Sequence, residues 1–70
     1  MRKSRRAVTL QYERARAVAD ELIARLGEQA PCHAMHQALK ARLKGDRPRM
    51  DEWLWIAGAA REILRSEPKG

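Results

Sequence analysis

Phenylalanine is absent from this 70-residue chain, cysteine occurs once, and Tyr12, Trp53 and Trp55 are its only aromatic residues. A lone Cys32 rules out an intramolecular disulfide framework, and a single thiol fits a reducing compartment. No apolar run approaches the roughly 20 residues of a membrane span. The start, RKSRR, is basic like a signal n-region, but Gln11, Glu13 and Arg14 arrive before any signal-like apolar stretch develops. The expectation is a soluble, cytoplasmic protein without membrane contact.

Chemically useful groups are scarce too. The hydroxyls are Ser4, Thr9, Tyr12 and Ser66, and neither His33 nor His36 has an obvious serine or acid partner. A nucleophile needs a base and an orienting group, and a general acid needs a pocket that shifts its pKa. Gly27, Gly45, Gly58 and Gly70 are isolated, so no glycine-rich phosphate loop exists. Cys32 and His36 share a helical face, but His33 points elsewhere and nothing completes a four-ligand site. The sequence therefore predicts neither an enzyme nor a metal site, cofactor or small-molecule substrate.

What is present is helical. No segment shows the β-branched and aromatic alternation of strands. Three amphipathic segments are predicted, at about 7–26, 30–44 and 47–65. In the first, Val8, Tyr12, Ala15, Ala19, Leu22, Ile23 and Leu26 share one side. Gly27 follows as a left-handed C-cap. In the second, opened by Pro31, a large-residue stripe of Cys32, Met35, Leu39 and Leu43 reads as core. Ala30, Ala34, Ala38 and Ala41 form a separate face, and Gly45 ends the helix. Asp46 is the expected N-cap of the third, whose stripe holds Met50, Trp53, Leu54, Ala57, Ala60, Ile63 and Leu64. The architecture predicted is a small three-helix bundle or helical hairpin with antiparallel neighbours. It comprises a basic flexible arm at 1–6, one helical domain at 7–66 and a frayed tail at 67–70. A domain near this size buries only about 60% of its unfolded surface, so the core is thin.

The charge is concentrated. Arg2, Lys3, Arg5 and Arg6 give +4, and Lys40, Arg42, Lys44, Arg47 and Arg49 against Asp46 give another +4. The remaining 54 residues of this +6 chain then sum to −2. In an up-down-up bundle both segments fall at one end, forming a basic pole suited to phosphates. Arg2, Lys3, Arg5, Arg6, Lys40, Lys44, Arg47 and Arg49 are its candidate contacts. The plain alternative is that basic residues suit the end of helix 2 and aid solubility. Asp51 and Glu52, early in helix 3, argue against a groove-entering helix-turn-helix.

Trp55 projects away from the Trp53 stripe, onto a polar face where a large apolar side chain marks a contact surface. It also reads as an ordinary isolated surface hydrophobe, or as a residue covered by helix 1. The alanine face of Ala34, Ala38 and Ala41 would let a second helix approach closely, although alanine's helix propensity alone explains it.

From Ala19 to Leu64, about two-thirds of the chain, the pattern AxxLIARLGEQAPxHA, then Gly45-Asp46, then WxxIAxAAxxIL from Trp53 to Leu64 resembles a class of short alphaproteobacterial helical proteins of uncharacterised function. The resemblance implies a helical hairpin with a Trp and an Ile anchoring its last helix, and no activity, cofactor or site. The leading functional expectation is a non-enzymatic protein-interaction or regulatory module that binds another protein or itself, as a homodimer. The alternative is a nucleic-acid-binding accessory protein using the basic pole.

Overall fold

The computed structural model describes the backbone of residues 2–66 and the side chains of residues 10–66. Among these residues the protein is all-helical: α1 spans Arg2–Leu26, a 3-10 turn Gly27–Gln29, α2 Ala30–Leu43 and α3 Arg47–Ser66. The tail expected at 67–70 lies outside the described residues. α1 begins at Arg2 rather than at the expected Ala7, so the backbone of residues 2–6 continues the helix. Arg and Lys are good helix formers, and no Gly or Pro interrupts residues 2–26.

The helix ends obey local rules. Gly27 adopts φ +62° where α1 stops, and Gly45 adopts φ +75° after α2, a left-handed conformation that glycine enters without a Cβ clash. At Gly45 the chain closes a Schellman motif. The Asp46 N–H donates to the Ala41 carbonyl at 2.9 Å, and the Gly45 N–H to the Arg42 carbonyl at 3.0 Å. Asp46 then caps α3, its Oδ1 accepting the Arg49 backbone N–H at 3.2 Å. Only Lys44, Gly45 and Asp46 separate α2 from α3, so the two helices fold back on each other as an antiparallel hairpin, with His33 of α2 reaching Trp53 of α3.

α3 is the central helix. It packs against both α1 and α2, which meet each other only slightly. On its surface Ile56, Ala57, Ala59, Ala60 and Ile63 are all buried, an arc broad enough to serve two neighbours. Trp53 lies toward α2, its ring edge-on to His33 at 6.1 Å and 81°. Trp55 lies toward α1, edge-on to Tyr12 at 6.2 Å and 69°.

The core itself is almost entirely alanine. Among the described residues Ala15, Ala19, Ala30, Ala34, Ala38, Ala41, Ala57, Ala59 and Ala60 are buried, joined only by Ile56 and Ile63, and no large side chain is fully enclosed. Tyr12, Leu22, Ile23, Trp53 and Trp55 pack around it, partly buried. Each buried methyl contributes only about 0.8 kcal/mol. Small contacts also let helix axes approach toward the short end of the usual ~8–10 Å range, where backbone atoms gain dispersion.

This corrects the reading of α2. Its alanine face, expected to be free for a second helix, is the face turned into the fold. Its large-residue stripe, expected in the core, is outside: Met35 is 49%, Leu39 50% and Leu43 79% exposed, and Cys32 is exposed as well. The physical reason is thickness. With principal extents of 42 × 32 × 15 Å, the molecule is little more than one helix layer on another, and closely approaching helices exclude rows of leucine and methionine from their seam.

Candidate contact surface

At about 100° per residue, Cys32, Met35, His36, Leu39 and Leu43 fall within an arc of roughly 100° on α2. The arc of Ala30, Ala34, Ala38 and Ala41 lies diametrically opposite. Because the alanines fix α2 against the rest of the fold, the stripe has nowhere to point but outward. Lys40 and Arg42 border it on either side, both exposed, so apolar side chains are framed by the long stems of cations. Patches of a few hundred Å² of contiguous exposed apolar surface are the size that marks contact sites on small proteins.

Trp55 is not the free hydrophobe expected. It is half-buried at the seam of α1 and α3, because Tyr12 of α1 covers one edge of its indole. The Tyr12 hydroxyl continues past it and donates to Glu62 Oε1 at 3.3 Å. Trp55 also lines a half-open groove of about 480 Å³ together with Leu10, Arg14, Val18 and Glu52. The covering role of helix 1 therefore holds for Trp55, whereas Trp53 is met by α2. Ala34, Ala38 and Ala41, the other interface candidates, are buried within the monomer and offer no free surface.

The basic side chains of the second segment all lie on the outside. Lys40, Arg42, Lys44, Arg47 and Arg49 are all exposed. Arg49 forms the one ion pair found among the described residues, its Nε lying 3.7 Å from Asp46 Oδ2. Asp51 and Glu52 are exposed on the following turn. The side chains of Arg2, Lys3, Arg5 and Arg6 lie outside the described residues, and with them the joining of the two segments into one pole.

Among the described residues no group of three or more His, Cys, Asp or Glu side chains converges as metal ligands would. His33 is taken up by Trp53, while Cys32 and His36 sit on the exposed stripe. No helix among the described residues is long and apolar enough to cross a membrane.

The exposed stripe is what sequence reasoning missed. α2 alone carried no signal, since both of its faces are apolar. The signal lay in all three helices together: alanines recur at helical spacing in α1 (Ala15, Ala19), α2 (Ala30, Ala34, Ala38, Ala41) and α3 (Ala57, Ala60), as one continuous small-residue seam would require. Comparison with protein-family models, curated proteins and solved structures finds no match to the chain.

Proposed function

We propose that the protein is a non-enzymatic protein-interaction module whose contact surface is the stripe of Met35, Leu39 and Leu43 on α2. The observation that carries this reading is the inversion of α2. The helix commits its small residues to the fold and spends its large apolar ones on solvent, an arrangement that costs solubility and gains nothing for the isolated chain. The test is co-purification at physiological salt, comparing the wild type with Leu39→Glu. A bound protein, whether a different chain or a second copy, is expected to be lost with the variant while its far-UV helicity stays unchanged. Association indifferent to Leu39→Glu would contradict the reading.

A second reading is supported by the exposed cluster of Lys40, Lys44, Arg47 and Arg49 around the α2–α3 turn, of which only Arg49 forms an ion pair among the described residues. Such a cluster suits phosphate backbones, through counterion release rather than base readout. It predicts retention on duplex DNA or RNA at low salt that weakens steeply as salt rises and with Lys40→Gln/Lys44→Gln. Absence of any mobility shift at low salt would remove it.

A further inference from the structure

From the pattern of the α2 stripe and the charges around it, we infer that its occupant is the same stripe on a second copy of this chain, packed antiparallel about a two-fold axis. The inference rests on the reading of this surface as a protein-contact site and names its partner.

The stripe is self-complementary. A two-fold axis passing α2 between Gln37 and Ala38 sets Cys32 opposite Leu43 of the second copy, and His36 opposite its Leu39. Met35 then lies beside the same Leu39. The smallest member of the stripe, Cys32, faces Leu43, the most exposed large hydrophobic side chain of the described residues. An isologous contact needs such matching of a surface to its own reverse.

Charge selects the antiparallel arrangement over the parallel one. α2 contains no acid, and Lys40 and Arg42 lie in its last turn, followed by Lys44 and Arg47. Parallel pairing would stack these basic ends on each other. Antiparallel pairing holds them at opposite ends of the dimer and brings exposed Glu28, just before α2, toward Lys44 and Arg47 of the second copy. The opposed helix macrodipoles favour the same choice.

Area sets the strength. The stripe with the flanking Lys40 and Arg42 stems offers on the order of 500 Å² per copy, the low end for a specific interface. The dimer is therefore concentration-dependent rather than obligate.

The antiparallel register also places the thiols. The two Cys32 side chains of a dimer are separated by eleven residues of helical rise, about 16 Å, so they cannot form a disulfide with each other. A cysteine at position 43 would meet Cys32 of the second copy.

The test is sedimentation of the full chain across micromolar to millimolar concentration, combined with copper-phenanthroline oxidation. The wild-type mass is expected to rise from 8.0 kDa toward twice that value, and Leu39→Glu to stay monomeric with unchanged helicity. Leu43→Cys should cross-link into a dimer on oxidation, whereas the wild type and Cys32→Ser/Leu43→Cys should not. A wild type that remains monomeric throughout, or that cross-links through Cys32 as readily as Leu43→Cys, overturns the inference. A monomeric wild type that still holds a different protein through Leu39 removes the homodimer and leaves the protein-contact reading standing; loss of both removes both. A monomer that co-sediments with phosphatidylserine vesicles only while Leu39 is intact would assign the stripe to an anionic membrane surface instead.

Discussion

Tyr12 meets Trp55 edge-on with ring centroids 6.2 Å apart, and its hydroxyl reaches Glu62 on the same helix. This contact acts together with the Ala15 and Ala19 seam, and with Leu22 and Ile23, in holding α1 to the rest of the fold. Trp55→Ala is expected to cost about 2 kcal/mol by urea denaturation, less than a fully buried tryptophan because the indole is half-exposed. Tyr12→Phe keeps the ring contact and gives up only an exposed 3.3 Å hydrogen bond, so its cost should stay under about 0.5 kcal/mol. A Tyr12→Ala/Trp55→Ala double-mutant cycle is expected to return a coupling of roughly 0.5–1.5 kcal/mol. A coupling near zero would mean that the rings do not touch in solution.

The alanine seam predicts an unusual direction of sensitivity. Enlarging a core position should harm this protein more than truncating its largest α2 side chains. Ala60→Leu is expected to destabilise by about 1–3 kcal/mol through overpacking. Met35→Ala should fall within about 0.5 kcal/mol of wild type at protein concentrations low enough to avoid association. The two variants compared in one denaturation series decide which side chains are inside.

Much of the helix arrangement was legible in the residues, because local chemistry dictates it. Gly27 and Gly45 stop helices by entering left-handed backbone, and Asp46 restarts one by capping it; none of these depends on distant contacts. The orientation of α2 was not legible, because a helix apolar on both sides satisfies periodicity either way round. The rule that large apolar residues go inside favoured Leu39 and Leu43, and it failed because Ala34 and Ala38 meet a partner helix that is itself lined with alanine. Trp55 was misplaced for a related reason. A wheel centred on Trp53 shows one neighbour, whereas α3 has two, and Trp55 belongs to the arc facing α1. The contact surface was thus visible as residues and invisible as a surface.

The α2–α3 turn carries a separable prediction. Gly45→Ala forces a Cβ into φ +75° with no compensating contact, costing about 1 kcal/mol. Asp46→Ala removes the cap on the Arg49 N–H and should cost about 1 kcal/mol, with most of it restored in Asp46→Asn. Thermal or urea midpoints of the three variants check this. Equal losses in Asp46→Ala and Asp46→Asn would mean that charge, and not capping, matters at that position.

The basic residues should be silent in stability. Lys40, Lys44 and Arg47 are exposed and have no acidic partner within ion-pair distance among the described residues. Lys40→Gln/Lys44→Gln is therefore expected to stay within about 0.5 kcal/mol of wild type, so any loss of nucleic-acid retention in that variant reports binding and not unfolding.

The claim on which the rest depends is that α2 faces its alanines inward and its thiol outward, and thiol reactivity measures that most directly. At low protein concentration under native conditions, Cys32 is expected to react with an aromatic disulfide reagent nearly as fast as in the urea-unfolded chain. Ala38→Cys in a Cys32→Ser background should react at least about 100-fold more slowly, limited by opening of the fold. A protected Cys32 together with a fast-reacting cysteine at position 38 would show that α2 is turned the other way, and would contradict the contact surface and the dimer built on it.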